Sequence, residues 1–257
     1  MDKTEYTESK ALKHSNLEKL EYIGKCLYLE SMGKKLVAIG DLHLGYEEAM
    51  NEAGVLLTRE MFGEMIEYLR RVFEKCGNVD KIILLGDIKH DFGNVLRQER
   101  EDFVRLISYL KEKMSGSGEI IIVKGNHDII IEYVVKTDRV KTADYFTHGE
   151  YCFAHGDREF EEMNSEEIKF WVLGHGHPAI KISDDVKVEK YKCYLVGKYK
   201  GKNVIIVPSF LEYNEGSDAR ESNLGMAWNF DLDKFDVKIV DSDELKVLDF
   251  GKLGDIN

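Results

Sequence analysis

Short apolar runs alternate with amphipathic stretches along most of the chain. Six runs have four or five residues each, are rich in branched aliphatic or aromatic side chains, and are bounded by glycine or polar residues. These features are typical of buried strands. The six predicted strands are Lys35–Ile39, Lys81–Leu85, Glu119–Val123, Tyr151–Ala154, Phe170–Leu173 and Asn203–Val207.

Two longer segments between the runs carry apolar residues at helical spacing. The first predicted helix covers Thr58–Cys76, with Thr58 as its N-cap and Gly77 as its C-terminal stop. The second covers Arg97–Met114, and Gly116 follows it. Because strands and helices alternate, the pattern indicates βαβ units and predicts an α/β fold.

The later part of the chain, from about residue 180 to residue 250, is rich in strand-like runs separated by glycine and aspartate turns. It predicts a more antiparallel second half that packs into the same domain. Residues 1–20 are polar, and we expect them to form a lead-in. We therefore expect one domain over residues 21–257, a length sufficient to bury a full core.

Composition narrows the class of protein. Apolar residues make up 43% of the 257 residues and charged residues 33%, which is ordinary for a globular protein. No apolar run reaches the ~18–20 residues of a membrane span, and the polar N-terminus lacks the apolar core of a secretory signal. The four cysteines are far apart, which predicts reduced thiols. We expect a cytoplasmic protein that does not contact membranes.

The formal net charge of −12 bears on the substrate. An acidic surface repels phosphate backbones, which argues against broad non-specific DNA binding. It does not exclude a nucleic-acid substrate, because bound metal ions reverse the local charge of a site.

Polar residues with metal-binding side chains follow five of the six predicted strands. In chain order, these segments are Gly40–His43, Gly86–Asp87, Lys124–Asp128, His155–Asp157 and Gly174–His177. In open α/β sheets, ligands bind beyond the carboxyl ends of the strands. We therefore expect the five segments to meet at one edge, where their glycines allow sharp turns and close approach to an ion.

The residue types predict a particular chemistry. Carboxylate and amide oxygens together with imidazole nitrogens suit divalent metals of intermediate hardness, such as Mn²⁺, Fe²⁺ or Zn²⁺. Two such ions about 3.5–4 Å apart can clamp the attacking and leaving oxygens of an in-line displacement at phosphorus. One carboxylate must lie between the ions, because a bridging anion offsets the repulsion of two dications.

The same five segments, in this order, resemble the calcineurin-like metallophosphoesterase superfamily. The resemblance implies a four-layer α/β/β/α sandwich in which two mixed β-sheets pack face to face, with helices outside. Three segments further resemble the archaeal SbcD-related phosphoesterases and the bacterial ligase- and helicase-associated phosphoesterases: Asp41–Glu47, Gly86–Asp91 and Pro208–Gly216.

The resemblance also implies a role for each site residue. The expected metal ligands are, for one ion, Asp41, His43 and His177; for the other, Asn126, His155 and His175; and, bridging both, Asp87. His127 would stabilise the transition state or protonate the leaving oxygen, and Asp128 would orient the His127 ring. A hydroxide bound by the metals would attack phosphorus in line.

One difference from the phosphoprotein phosphatases of the superfamily is informative. Those enzymes carry an Asp-Arg pair where this chain has His90 and Asp91, which argues against a protein phosphatase. His90 resembles the SbcD-type pattern, so His90 and Arg158 are candidates to line the substrate site. The alternatives are that His90 only makes a hydrogen bond at a strand end and that Arg158 is a solvated neighbour.

We predict a phosphoesterase that depends on two divalent metal ions and acts on phosphodiesters of nucleic acids or nucleotides. Manganese is the preferred metal, with iron, zinc, nickel and magnesium as alternatives. A small-molecule phosphoesterase and a non-catalytic interaction module with a retained metal site are the open alternatives. By resemblance, DNA or RNA is a candidate substrate and a DNA-repair helicase or ligase a candidate partner. A homodimer is also open.

Overall fold

Two β-sheets pack face to face, and α-helices cover the outer face of the first sheet. The computed structural model describes residues 17–90, 96–128, 138–183, 187–213, 215–221 and 224–256. Positions 1–16 of the predicted lead-in lie outside the described residues, as does Asp91, and a strand begins at Leu17.

The first sheet has six strands among the described residues, and their spatial order follows the chain. They are β1 (Leu17–Ile23), β2 (Cys26–Ser31), β3 (Lys34–Ile39), β4 (Val79–Leu84), β5 (Met114–Val123) and β6 (Val140–Ala143). Strands β1 to β3 pair antiparallel, whereas β3 to β6 run parallel. Neighbouring apolar residues point to opposite faces, as a strand requires: Ile82 packs towards the helices and Ile83 towards the second sheet.

The second sheet is also mixed. In the described part of the chain it contains β7 (Tyr145–His148), β8 (Tyr151–Ala154), β9 (Phe170–Leu173), β10 (Pro178–Ser183), β11 (Val188–Tyr199), β12 (Lys202–Ile206), β13 (Ser217–Asp218), β14 (Asp236–Asp241) and β15 (Lys246–Lys252). Strands β8, β9 and β12 run parallel. Strands β10, β11, β14 and β15 pair antiparallel. The antiparallel character predicted for the later part of the chain is therefore confirmed.

Helices form the outer layers. The described α-helices are α1 (Tyr46–Glu52), α2 (Met61–Cys76) and α3 (Arg97–Glu112), and α2 and α3 bury apolar faces against the first sheet. The second sheet is covered instead by short 3₁₀ segments at Glu161–Asn164, Gly225–Asn229, Leu232–Lys234 and Leu253–Asp255. The predicted pair of mixed sheets packed face to face is therefore confirmed. None of the described helices is long and apolar enough to cross a membrane.

All six predicted strands and both predicted helices are present, and most of them have at least one shifted end. The bounds of β8 and β9 coincide with the prediction. The strand β5 begins earlier than predicted, at Met114, so α3 ends at Glu112. The strand β12 ends at Ile206, before the predicted end at Val207.

The predicted N-cap of α2 is wrong, because the cap position is Glu60 rather than Thr58. The free amides there are satisfied from another helix: Oε1 of Glu47 in α1 accepts from the N–H of Glu60 at 2.6 Å and of Met61 at 2.9 Å. Glu47 is 2% exposed, and a carboxylate beside a helix N-terminus is also favoured by the helix dipole. The predicted stop at Gly77 is confirmed.

Candidate metal centre

The polar residues that follow the strands meet at one edge of the two sheets. Hydrogen bonds between the sheets hold this edge together. Nδ1 of His155, after β8, lies 2.8 Å from the backbone oxygen of Leu85, after β4. The backbone N–H of His175, after β9, donates to Oδ1 of Asp41, after β3, at 3.0 Å. The gathering of these segments predicted from the sequence is therefore what the fold produces.

Two groups of side chains at this edge are close enough to hold metal ions. Within each group, the candidate ligand atoms lie within 4.8 Å of one another. The first group is Asp41, His43, Asp87 and His177, and the second is Asp87, His155 and His175. Asp87 belongs to both, so its carboxylate lies between the two candidate positions.

The first group is tightly packed and buried. Nε2 of His43 lies 3.3 Å from Nε2 of His177, and the latter atom lies 3.5 Å from Oδ1 of Asp41. Oδ2 of Asp87 lies 4.0 Å from Nε2 of His43. Asp41 is fully buried, and His177, the most exposed of these residues, is 9% exposed.

The second group is centred on His155. Its Nε2 lies 3.4 Å from Oδ1 of Asp87, 2.9 Å from Nδ1 of His175 and 3.0 Å from Oδ1 of Asn126. The Asn126 amide oxygen thus joins this group, where the sequence analysis expects it. His155 is fully buried, whereas Asn126 and His175 are partly exposed.

The chemistry of the second group fits a cation. The oxygen of Leu85 can only accept, so Nδ1 of His155 must donate to it, and a neutral ring then carries its lone pair on Nε2. This lone pair faces the acceptor oxygens of Asn126 and Asp87. Acceptors this close repel unless a proton or a metal cation lies between them, and mixed O and N donors suit divalent ions.

The backbone is strained at the same residues. Nine non-glycine residues in the described ranges have positive φ, and five of them, with φ between 37° and 61°, belong to the site: Asp41, His43, Asp87, His175 and His177. A side chain in this conformation costs of order 1–3 kcal/mol, and such residues concentrate at functional sites. The strain is therefore concentrated where the candidate ligands converge.

Glycine is required beside the ligands because nothing larger fits. Gly86 has φ of +86°, and a Cβ there would lie 2.5 Å from Nδ1 of His155 and 2.8 Å from Cα of Gly125. A Cβ on Gly125 would in turn collide with Asp87. These two glycines allow the loops after β4 and β5 to approach each other closely enough to place Asp87 beside His155.

Burial and neighbouring charges shift the pKa values of the carboxyl groups. Burial would raise the pKa of Asp41, but His177, His155 and His43 outweigh it and hold that pKa below its usual range. Burial raises the pKa of Asp87; His155 opposes this shift and Asp41 reinforces it. Two buried carboxyl groups therefore repel each other here, and a divalent cation would relieve that repulsion.

The histidine rings respond in two ways. Burial lowers the pKa of His43 well below its usual value. Burial, reinforced by His155, lowers the pKa of His175 to about 4. Both rings are neutral at pH 7 and can offer a lone pair to a metal. Burial would also lower the pKa of His155, but Asp41 and Asp87 raise it overall, as expected for a ring that lies beside two carboxylates.

His127 lies beside both groups, and neither of the groups found among the described residues includes it. Its backbone N–H donates to Oδ1 of Asp87 at 3.1 Å. Its Nδ1 lies 2.6 Å from the backbone oxygen of His90, which can only accept, so Nδ1 carries a proton. Its Nε2 lies 3.7 Å from Oδ2 of Asp87 and therefore faces the candidate metal positions.

The expected role of Asp128 needs correction, because its carboxylate is used by the backbone. Oδ1 of Asp128 accepts from the N–H of Ile88 at 2.9 Å, and Oδ2 accepts from the N–H of Gly125 at 3.0 Å. The ring of His127 is oriented by the carbonyl of His90. Asp128 thus ties together the loops after β4 and β5 rather than aligning the ring.

His90 lies at the site, whereas Arg158 lies on the surface nearby. The His90 ring is 5.5 Å from the ring of His43 and 4.9 Å from that of Tyr46, between centroids. The Arg158 side chain is 61% exposed, and its guanidinium is 3.4 Å from Oδ1 of Asp144. Of the two candidates for substrate contact, the fold brings only His90 among the clustered rings.

A loop that the sequence analysis did not assign to the site supports Asp41. Oγ of Ser209 and the backbone N–H of Leu211 both donate to the backbone oxygen of Asp41, each at 3.3 Å. Two lysines in turn hold the loop: Nζ of Lys192 donates to the carbonyls of Ser209 and Leu211, and Nζ of Lys25 donates to the carbonyl between them. Lys25 is only 2% exposed. Lysine is rarely buried, so no sequence signal indicates a lysine in this position.

Comparison with known proteins agrees with this geometry. The family model of the calcineurin-like phosphoesterases matches residues 34–240. No curated protein matches the chain significantly. Among solved structures, nuclease MPE of Pseudomonas putida is similar, with a TM-score of 0.62 and 13% identity over 94% of this chain and 99% of that chain. At this identity the likeness shows the fold alone.

Two other solved structures align less closely. A protein of unknown function from Aquifex aeolicus has 19% identity and a TM-score of 0.38 over 55% of this chain and 78% of that chain. An archaeal phosphodiesterase has 15% identity and a TM-score of 0.33 over 73% of this chain and 92% of that chain. The fold assignment therefore depends on the family match and on the P. putida structure.

Proposed function

The chain belongs to the calcineurin-like phosphoesterase family, and on that basis we propose that it hydrolyses phosphodiesters of nucleic acids or nucleotides with two divalent metal ions. The observation that carries the proposal is the position of Asp87, whose carboxylate belongs to both groups of candidate ligands. An anion between two dications is what a binuclear phosphoester-hydrolysing site needs.

We propose that the candidate ligands divide between two ions. The residues that would hold them are, for the first ion, Asp41, His43 and His177; for the second, Asn126, His155 and His175; and, for both, Asp87. When bound, the ions supply Lewis acidity and neutralise negative charge on the phosphoryl group. We propose Mn²⁺ because the donors mix oxygen with imidazole nitrogen, with iron, zinc, nickel and magnesium as alternatives.

His127 is the residue that we propose as proton donor. Its Nδ1 proton is held by the His90 carbonyl at 2.6 Å, so the ring cannot turn without losing that hydrogen bond. Its Nε2 faces the side of the site where Asp87 lies. In the protonated ring, Nε2–H can donate to the departing oxygen of a substrate whose phosphorus lies near the metals.

Three observations support a nucleotide-type diester as substrate. The structurally similar P. putida protein is a nuclease. Segments of the chain resemble SbcD-related phosphoesterases. His90 stands among the site's rings at a position where protein phosphatases carry a different residue pair. The net charge of −12 disfavours a long grip on duplex DNA, so we propose nucleic-acid ends and nucleotide diesters as the substrates.

The test is an activity screen on chelator-treated protein to which Mn²⁺ is returned. We expect hydrolysis of bis(p-nitrophenyl) phosphate and of a labelled oligonucleotide only when the metal is present, and slower hydrolysis of p-nitrophenyl phosphate. Faster hydrolysis of the monoester would refute the diester assignment. Undiminished activity in excess chelator would refute the metal requirement.

A non-catalytic interaction module with a retained metal site is one of the two alternatives that the sequence leaves open. All seven expected ligands lie at one edge with His127 beside them, which favours catalysis. Two bound metal equivalents with no hydrolysis of any ester in the screen would favour the module. A helicase or ligase partner stays a prediction from resemblance, and a homodimer stays open.

A further inference from the structure

The two tryptophans of the chain have opposite environments. Trp171 is fully buried, and its indole N–H donates to the backbone oxygen of Met163 at 2.7 Å. Trp228 is 75% exposed. Indole carries a large apolar surface that is usually buried, so the exposed ring of Trp228 calls for a reason.

The segment that carries Trp228 is pressed against the candidate metal centre. It is the 3₁₀ segment Gly225–Asn229. At its start, a Cβ on Gly225 would lie 2.5 Å from Cδ2 of His175. The backbone N–H of Met226 donates at 2.8 Å to the oxygen of Gly156, the residue after His155. The segment therefore touches the loops that supply both histidines of the second ligand group.

Trp228 lies on the same 3₁₀ segment, three residues after Gly225. A 3₁₀ turn rises about 2.0 Å per residue, so Trp228 lies about 6 Å along the segment from Gly225. Met226 and Ala227 are buried in the core on the outer face of the second sheet, which anchors the segment. Leu224, which precedes Gly225 in the chain, is also 40% exposed.

The chemistry of the exposed indole favours a ligand that carries a nucleobase. An exposed indole offers a flat π face, on which nucleobases stack with little regard to sequence. The acidic chain, with net charge −12, provides a weak electrostatic hold on phosphates, whereas stacking does not depend on protein charge. A base that is covalently attached to a phosphate at the metal centre must stay within a short distance of that centre. The segment Gly225–Asn229 lies beside the loops of the centre.

We propose that Trp228 is a stacking platform for a nucleobase of the diester substrate and thereby a specificity-determining residue. This inference rests on the proposed function and adds the substrate class: a diester that carries at least one base next to the cleaved phosphate. Recognition requires the base, since stacking on the indole acts on the base and not on the phosphate.

Binding can be tested without turnover, through tryptophan fluorescence. Titration with a nucleoside 5′-monophosphate in Mn²⁺ should quench the exposed emission of Trp228, while the buried Trp171 provides a constant background. Ribose 5-phosphate should cause no quenching, and Trp228→Phe should remove the response. Equal quenching by both compounds, or an emission change that follows protein concentration instead of ligand, would overturn the proposal. The second result would assign the surface to a second copy of the chain.

Kinetics separate recognition of the base from support of the site. We expect the wild-type protein to have a KM about tenfold lower for a dinucleotide than for its abasic counterpart, a difference equivalent to about 1.4 kcal/mol. Trp228→Ala should abolish this difference, and Trp228→Tyr should retain most of it. Phe250→Ala, at another exposed aromatic residue, is the matched control and should leave it intact.

Three results would overturn the inference. They are a preserved difference in KM, an equal loss with both substrates, and a fall in metal content of Trp228→Ala, which would show that the residue acts through His175. Hydrolysis of bis(p-nitrophenyl) phosphate by the wild-type protein, measured in parallel, reports on the proposed function separately. The inference can therefore fail while the phosphodiesterase assignment stands.

Discussion

The Oδ1 atom of Asp87 lies 3.4 Å from Nε2 of His155. The other carboxylate oxygen of Asp87, Oδ2, lies 4.0 Å from Nε2 of His43. One oxygen of this carboxylate therefore faces each of the two ligand groups. Its neighbour His127 donates a backbone N–H to Oδ1, which fixes the rotation of the carboxylate. The position of both metal ions should therefore depend on this single side chain.

The first prediction is that Asp87→Asn loses turnover and at least one metal equivalent. The amide keeps the shape of the side chain but removes the anion between two dications. Residues that only support metal ligands typically account for about 10–100-fold in affinity or activity, and the loss here should exceed that range. Elemental analysis and the rate on bis(p-nitrophenyl) phosphate check this, with Asp249→Asn, an exposed carboxylate, as control. Two bound metals with near-normal activity would contradict the bridging role.

The second prediction is that Mn²⁺ stabilises the chelator-treated protein. Asp41 and Asp87 are buried close together, and their repulsion weakens the metal-free fold. A ligand that binds only the native state stabilises it by about 2.7 kcal/mol at a hundredfold excess over its Kd, which for this size corresponds to about 5–10 °C in Tm. Calorimetry with and without Mn²⁺ measures the shift. An unchanged melting curve at millimolar Mn²⁺ argues against the site.

The sequence predicts the edge of the sheets well because the signal there is local. Each apolar run ends in a glycine or a polar residue, and parallel strands bring such ends together whatever the details of packing. Asp41, Asp87 and His155 were therefore recognisable one strand at a time. The same argument places Asn126 and His175, since each follows its strand within a few residues.

Contacts made by distant segments could not be predicted in this way. The N-terminus of α2 is capped by Glu47 through a side chain from another helix, so the local preference for Thr58 was overridden. Asp128 is adjacent to His127, but adjacency does not reveal that its oxygens meet backbone amides after β4. The segment that carries Trp228 lies beside the site only because Gly225 packs against His175.

The third prediction compares two glycines. Gly86→Ala should destabilise the protein by at least about 1–2 kcal/mol, because φ is +86° there and left-handed backbone carries such a cost for a residue with Cβ. The new methyl group would also displace His155 and reduce metal affinity. Gly63→Ala, in α2 with nothing near its Cβ, should stabilise by about 0.5–1 kcal/mol. Urea unfolding and Mn²⁺ titration of both variants check this. A Gly86→Ala protein with wild-type metal affinity would contradict it.

The fourth prediction concerns pH. Burial, reinforced by Lys25, lowers the pKa of Lys192 to about 7, against about 10.4 in an unfolded chain. Between these values the unfolded state holds a proton that the native state lacks, so the free energy of unfolding rises with pH, by up to about 1.4 kcal/mol per pH unit. The penalty is fully present below pH 7 and is relieved as the pH rises towards 10.

Lys192→Met removes the titrating group, so its stability should rise less steeply than that of the wild type between pH 7 and 10. Lys198→Met, at an exposed position of the same strand, is the control and should follow the wild-type slope. Urea unfolding across this pH range measures the slopes. Parallel curves for the wild type and Lys192→Met would show that Lys192 keeps an ordinary pKa in the native protein.

The fifth prediction separates binding from chemistry at His127. The ring is fixed by the His90 carbonyl with Nε2 towards Asp87, which suits a donor to the leaving oxygen. General acid catalysis contributes typically ~10²–10⁴-fold, and the benefit is largest for a poor leaving group such as a sugar alkoxide. p-Nitrophenolate is stable as an anion and needs little help. His127→Ala should therefore keep both metals, lose most activity on nucleotide diesters, and lose much less on bis(p-nitrophenyl) phosphate.

The other possible roles of His127 give different results on the same purified variant. If the ring only stabilises charge on the phosphoryl oxygens, both substrates should slow by a similar factor, because that charge does not depend on the leaving group. If the ring is a metal ligand, metal content should fall, and this outcome would refute the assignment of His127 as the proton donor. His148→Ala is the matched control, since His148 contacts the backbone of Ser31, at the far ends of β2 and β3 from the site. It should change neither rate nor metal content.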